Sequence, residues 1–297
     1  MKAILEQIAE AMDQEGNLPE GFSLKRREIE GGLKFAPGAE DGILLFHTPE
    51  VKLEGTDADK LFEIIKTISS GRYEDADDMI SHFSGKYAAI KIYSDLRKMI
   101  LEHLPSLEQN NLYKYSYIRL GLSQDRDVLK YAMMLLSLFK EPKEDIKNTV
   151  RIVGTYDEFT YFAVLNALRW SNSEEEIYSL AKRTQGWGRI HAIAHLKGER
   201  EDIRKWLLHT GRKNNVMNQY TALAVYKMTK VEERLETCDA EELKDIIELV
   251  EDLAKEGPVE GISAIDKVGL LGSQIARAID RVGIENEWKD RLIEALR

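Results

Sequence analysis

Two patterns of apolar residues divide the chain near residue 57. Between residues 22 and 48, apolar and polar residues alternate around Gly31-Gly32 and Pro37-Gly38, which predicts strands joined by turns. From residue 57 onward, apolar residues recur every three to four positions, which predicts helices. We therefore expect a first region, 1–56, with a short helix and a small β-hairpin, and an α-helical domain, 57–297.

Two segments of the second region have the clearest helical pattern. Residues 125–140 carry Val128, Leu129 and Ala132 in the most apolar predicted helix, which we expect at the centre of the fold. Residues 240–256 are strongly acidic and keep an apolar stripe at helical spacing. The fold class predicted from these patterns is mainly α with a small N-terminal β element, in which Ile43–Phe46 would be a buried strand.

The stretch from Gly186 to Gly211 is predicted to form two short helices. The second helix places Ile203, Trp206 and Leu207 on one side. Helices of this length are not stable alone and must pack on neighbours. We therefore expect Trp206 to be buried between helix pairs, while Arg204 and Lys205 face solvent.

This pair of helices recurs along the chain. Residues 161–168 precede a helix around Ile177, residues 189–196 precede one around Ile203, and residues 218–225 begin a third copy. Helix pairs repeated at a fixed period predict a solenoid, in which neighbouring pairs bury each other's apolar faces.

The small residues among leucines and isoleucines in these pairs resemble HEAT and armadillo repeats, over roughly residues 123–235. The resemblance implies a right-handed, solenoid-like stack of helix pairs with an extended concave surface for a partner. Irregular helix pairs in an ordinary α-domain are the alternative interpretation.

Composition narrows the class of protein. Hydrophobic residues make up 43% of the 297 residues and charged residues 32%, as in soluble globular domains. No apolar run has the length of a membrane span, and the first ten residues lack the unbroken apolar core of a signal peptide. With one cysteine, Cys238, the chain has no internal disulfide, and we expect a cytoplasmic protein that binds no membrane.

Charge is unevenly distributed. The segment 182–213 has nine basic and three acidic residues, whereas the segment 232–260 has twelve acidic and three basic residues, within a chain of net charge −10. The basic segment predicts an anion-binding surface, because arginine forks bind carboxylates and phosphates and tryptophan offers a stacking face. The alternative is that the two segments are solvated faces that attract one another. The overall negative charge disfavours nucleic acid as a partner.

Candidate binding residues lie in or near this basic segment. His191 and His195 share a helix face, but Ala192 stands where a zincin motif requires glutamate, so we expect packed or hydrogen-bonded histidines rather than a metal site. Cys238 lies near two acidic residues, which should raise the pKa of its thiol and disfavour a nucleophile. We predict no catalytic residue, metal or cofactor, and we predict binding by Trp187, Arg189, His191, His195, Arg200, Arg204 and Lys205.

The leading functional hypothesis is a cytoplasmic, non-enzymatic binding or adaptor protein whose helical-repeat surface takes a protein or an acidic peptide. One alternative is a nucleic-acid-processing enzyme, by analogy with HEAT-like DNA glycosylases. A second alternative is a metal-dependent hydrolase using His191 and His195.

Overall fold

The computed structural model describes residues 2–24, 35–257 and 259–296. Within these residues the chain forms 17 α-helices and no strand, which confirms the mainly α class. The chain divides into two compact units, Met1–His191 and Ala192–Arg297. This division lies at a different position from the domain boundary predicted between residues 56 and 57. The predicted boundary stays a prediction. No helix among the described residues is long and apolar enough to cross a bilayer.

Ten α-helices lie entirely within the first unit, with a short 3₁₀ turn, Leu104–Ser106, after the fifth. They are α1 (Ile4–Ala11), α2 (Ala39–His47), α3 (Gly55–Ser69), α4 (Tyr73–Ser84), α5 (Ala89–His103), α6 (Gln109–Leu122), α7 (Arg126–Leu136), α8 (Glu144–Gly154), α9 (Asp157–Ala167) and α10 (Ser173–Arg183). The division between the units falls within α11 (Trp187–Ala194).

Successive helices of the first unit pack as pairs: α3 with α4, α6 with α7, and α8 with α9. The first helices of these pairs contact one another in chain order, since α6 packs on both α3 and α8. The second helices do the same, since α7 packs on both α4 and α9. Arg151 of α8 forms an ion pair with Glu176 of α10 at 2.6 Å, and α10 also packs on α9.

The helix α7 lies in the core of this unit, as the apolar pattern predicted. Asp125 caps it, because its carboxylate accepts the backbone N–H groups of Asp127 and Val128. Every residue from Val128 to Leu136 is buried. The amide of Asn166 in α9 donates to the carbonyl of Met133 at 2.9 Å, so the two second helices are joined by a buried hydrogen bond.

The predicted N-terminal β element is wrong for the part that the structure describes. Residues 43–46, expected as a strand, belong to α2, and residues 25–34 lie outside the described residues. Gly38 adopts a φ of 74° at the start of α2, and Glu40 and Asp41 suit the positive end of the helix dipole. A short apolar run fits a helix as well as a strand, so its periodicity could not decide between them.

Buried and half-buried charges join helix α2 to α7 and α7 to α9. The Lys130 ammonium lies 2.7 Å from an Asp41 oxygen and 3.2 Å from a Glu158 oxygen, and Arg126 lies 2.6 Å from Glu158. Burial by itself would lower the pKa of Lys130, but Asp41 and Glu158 together raise it. Burial raises the pKa of Asp41, against the pull of Lys130. We call these four residues the Lys130 cluster.

The second unit is built around a central acidic helix, α15, which packs on α13, α16 and α17. Its apolar stripe is buried, as predicted from residues 240–256. The elements of this unit are α12 (Glu201–Trp206) with a π-helical turn (Leu207–Gly211) that continues it, α13 (Gln219–Thr229), α14 (Val231–Arg234), α15 (Ala240–Ala254), a 3₁₀ turn (Ile262–Ala264), α16 (Val268–Val282) and α17 (Asn286–Ala295).

Candidate functional site

The predicted binding residues do not all belong to one compact unit. The structure assigns three of them to the first unit and four to the second, the division falling within α11. Those of the first unit are Trp187, Arg189 and His191, and those of the second are His195, Arg200, Arg204 and Lys205.

Trp187 and His191 lie inside the first unit rather than on its surface. Trp187 is 5% exposed, and its indole lies against Gly42 of α2, where an added Cβ would come within 2.1 Å of the ring. His191 is 1% exposed, and its ring centroid is 5.4 Å from that of Tyr161. These two side chains therefore pack the core, which fits the packed histidine expected at 191. His195 is half-buried.

Arg189 supports the end of a helix. Its Nε donates to the backbone carbonyls of Thr184 at 2.6 Å and Ala181 at 3.1 Å, at the end of α10. The last carbonyls of a helix have no partner within the helix, so a side-chain donor there stabilises it. The half-buried guanidinium of Arg189 thus has a structural task.

Arg200 and Arg204 form ion pairs with acidic residues of their own segment. Arg200 lies 2.6 Å from Asp202, and Arg204 lies 2.9 Å from Glu201. Arg204 also donates to the carbonyl of Gly198 at 2.7 Å, which ties it to the loop before α12. The Arg200 side chain is 50% exposed and that of Arg204 is 21% exposed, so Arg200 is the more accessible to a partner.

Lys205 and Trp206 line an open pocket in the second unit. Lys205 is exposed, as expected, whereas Arg204 is half-buried rather than exposed and Trp206 is half-buried rather than buried. The pocket has a volume of about 410 Å³, within the range of ligand sites. One wall comes from α12 and the π-helical turn and consists of Lys205, Trp206, Leu208, His209 and Thr210.

The π-helical turn shapes this wall. The backbone N–H of Arg212 donates to the carbonyl of Leu207, five residues earlier, at 3.0 Å. Gly211 has no side chain, and an added Cβ there would lie 2.5 Å from the Trp206 ring. The turn and the glycine together allow the indole to lie against the backbone beside the pocket. Single π-helical turns are frequent at functional sites.

Carboxylates from the start of α15 form the opposite wall. Asp245 lies 2.7 Å from Nδ1 of His209, whose side chain is 56% exposed. Asp239 caps α15 by accepting two backbone N–H groups through Oδ1. Arg234 binds Glu242, and Glu241 is exposed. The carboxylates of this wall are those of Asp239, Glu241, Glu242 and Asp245.

Part of the charge segregation seen in the sequence is neutralised within the second unit. Arg212 is 1% exposed and forms ion pairs with Asp252 and with Glu248, the latter at 2.5 Å. Lys213 lies 3.1 Å from Glu248. The attraction between the basic and acidic segments, expected as the alternative, therefore occurs at Arg212 and Lys213. Arg200 and Arg204, in contrast, pair with Asp202 and Glu201 from the basic segment itself.

The pocket and its surroundings offer binding groups rather than a recognisable reaction centre. No group of three or more histidine, cysteine or carboxylate side chains suited to a metal ion occurs among the residues that the structure describes. The hydroxyl of Thr210 donates to the carbonyl of Trp206. Cys238 is buried, and burial is the main cause that raises the pKa of its thiol. The predicted direction is confirmed, although the neighbouring carboxylates contribute less than burial does.

No protein-family model, no curated protein and no solved structure matches the chain.

Proposed function

We propose that the chain is a non-enzymatic binding or adaptor protein of the cytoplasm. In this proposal its helix pairs form a right-handed, HEAT- or armadillo-like stack, and its surface binds a protein through an acidic peptide segment. The packing of first helices on first helices and second helices on second helices in the first unit supports a repeat architecture, because stacked repeats contact their neighbours in this order.

The observation that carries the proposal is the exposed basic edge of the second unit. Arg200 and Lys205 are both exposed, and Lys205 borders a pocket that contains a half-buried tryptophan. A guanidinium and an ammonium supply donors for carboxylates, and the Trp206 indole, which lines the same pocket as Lys205, supplies contact area for a peptide. We call Arg200 and Lys205 the basic edge.

Reversing the charge of the basic edge tests this proposal. The partner is first captured from native cytoplasm and identified together with any bound nucleic acid. Its affinity is then measured for the wild type and for the Arg200→Glu/Lys205→Glu variant. We expect binding at least about tenfold weaker for the variant, since each lost charge-assisted hydrogen bond contributes about 1.5 kcal/mol or more. Added salt should weaken wild-type binding as well.

A matched control uses Lys227→Glu/Lys255→Glu, which makes the same charge change at exposed positions elsewhere in the second unit. Arg204 is kept in both variants, because its guanidinium holds the carbonyls of Gly198 and Glu199. Circular dichroism confirms folding. If both variants lose the same amount of affinity for the partner, the effect comes from overall charge and not from the basic edge. If the Arg200→Glu/Lys205→Glu variant keeps the wild-type affinity, the basic edge has no role in binding.

A further inference from the structure

We infer that the pocket between α12 and α15 binds a guanidinium group, the side chain of an arginine in the partner peptide. This inference rests on the proposed function, because it supplies the residue that a peptide on the basic edge would insert. It concerns the pocket itself, which no sequence motif indicated.

The shape of the pocket suits an inserted side chain. A volume of about 410 Å³ exceeds that of one side chain and leaves room for the adjoining backbone of a peptide. Trp206 provides an aromatic surface, and Leu208, which is 2% exposed, lies at the base of the same wall. The π-helical turn holds the indole against Gly211, so this surface exists before a ligand arrives. A prearranged surface lowers the entropic cost of binding.

The charge of the pocket selects a cation. Four carboxylates line it, against Lys205 and the imidazole of His209, and one of the four, Glu242, is paired with Arg234. Asp239 and Asp245 are fixed in place, the first by capping α15 and the second by His209. Glu241 is exposed on the first turn of α15 and can move toward a ligand. An excess of negative charge in a concave site attracts positively charged groups.

Arginine fits this combination better than lysine. Its planar guanidinium stacks on an indole and at the same time donates parallel hydrogen bonds to carboxylates. A lysine ammonium is a compact, strongly hydrated charge without a planar face. Lys205 at the border of the pocket would meet an acidic residue next to the arginine. The ligand expected is therefore a mixed-charge peptide in which an arginine adjoins an acidic residue.

The inference is tested with capped amino acids and a labelled tryptophan. The chain is produced with 5-fluorotryptophan, and the Trp206 resonance is assigned with a Trp206→Phe variant. N-acetyl-arginine amide is titrated against the full chain, with N-acetyl-citrulline amide as its neutral isostere. We expect the arginine probe to shift the Trp206 resonance with a Kd of about 1 mM, as is typical of so small a ligand. The citrulline probe should bind at least about tenfold more weakly, since it forms no charge-assisted hydrogen bond.

Free arginine and the capped dipeptide N-acetyl-Glu-Arg-amide distinguish the source of the guanidinium. Tighter binding of the dipeptide supports a peptide ligand. If free arginine binds as tightly as the dipeptide or more tightly, the peptide ligand is refuted and the pocket is a site for a small molecule. Equal binding of the citrulline probe, or no shift of the Trp206 resonance, overturns the guanidinium site.

Two test substitutions, with one control, separate this inference from the proposed function. Glu241→Gln should weaken the arginine probe about tenfold, whereas Glu260→Gln, at an exposed position outside the pocket, should leave it unchanged. Lys205→Glu should strengthen binding of the arginine probe while weakening binding of the partner. If Lys205→Glu weakens binding of the partner but leaves binding of the arginine probe unchanged, the guanidinium site is refuted and the basic edge is supported. If it strengthens binding of the probe but leaves binding of the partner unchanged, the guanidinium site is supported and the basic edge is refuted.

Discussion

The Lys130 cluster of the first unit and the pocket of the second unit contain the same kinds of charged groups in opposite surroundings. Lys130 and Asp41 have side chains 9% and 5% exposed, and each faces its counter-charge directly. Lys205 and Glu241 are exposed to solvent on the walls of an open pocket. Charges of the first kind position a helix, whereas charges of the second kind are available to a ligand.

The comparison shows that burial, and not the number of charges in a segment, determines what a charged residue does. A buried ion pair is expensive to break, because the remaining charge stays without water or a counter-charge. An exposed charge contributes little to stability, because water and salt screen it. Substitutions that change stability in one region but not in the other test whether the charges of the Lys130 cluster are structural and those of the pocket are available to a ligand.

Removing the ammonium of Lys130 should have the largest effect. Lys130→Met keeps an apolar stem in place but leaves Asp41 without its counter-ion in a buried site. We expect the free energy of unfolding to fall by about 3–5 kcal/mol, measured by urea denaturation. Lys114→Met, at an exposed position on α6, is the control and should change stability by less than about 0.5 kcal/mol. A loss at Lys130 as small as that of the control would mean that the cluster is hydrated.

A half-buried carboxyl group in the first unit, that of Asp157, should give a pH-dependent effect of intermediate size. Burial raises the pKa of Asp157 to about 6, although the N–H of Gly188 donates to it at 3.2 Å and opposes the shift. The pKa of Asp157 is higher in the folded state than in the unfolded state. Between these two pKa values, the carboxyl group is therefore still protonated in the folded protein but ionised in the unfolded chain. The contribution of this group to stability is therefore complete below about pH 4 and is lost as the pH rises through about 6.

Asp157→Asn removes this titration. Relative to the wild type, the variant should gain stability as the pH rises from about 4 to about 7, reaching about 1–2 kcal/mol in urea denaturation at the upper end. A difference between the two proteins that stays constant over this range would show that Asp157 titrates at an ordinary pKa and is solvated.

The smallest effect is expected at the pocket. Lys205→Ala should change the free energy of unfolding by no more than about 0.5 kcal/mol, because the side chain is exposed. A loss above about 1 kcal/mol in the same denaturation assay would place Lys205 with the structural charges, and the basic edge would then lose one of its two members.

Helices with a complete apolar stripe could be predicted from the sequence, and a short apolar run could not. The stripe of α15 has enough turns to define a helical period, and the buried run in α7 lies between two clear ends. The run Ile43–Phe46 is too short to show a period, and the helix that contains it packs Gly42 against the Trp187 ring, 145 residues away. Tertiary packing of this kind leaves no local signal.

The site was only partly predictable for a related reason. Local charge pointed to Arg200 and Lys205, which are exposed, but also to Trp187 and Arg189, which have structural tasks. The pocket requires His209 and Asp245 to meet across 36 positions of sequence. The sequence signal for the pocket was a histidine on a short helix followed by an acidic helix. This signal identifies a pocket only once packing brings the two helices together.

The π-helical turn at Leu207–Gly211 has a consequence for how the sequence can change by insertion or deletion. A π-helical turn closes its hydrogen bond one residue later than an α-helical turn, so a single inserted codon within an α-helix is enough to create it. Removing one residue from the turn would rotate the chain after it by about 100°, the rotation per residue of an α-helix. Arg212 would then turn away from Glu248 and Asp252, while Trp206 would lose Gly211 beneath its ring. One codon thus links the shape of the pocket to the buried ion pairs beside it, and a lineage could gain or lose both in a single step.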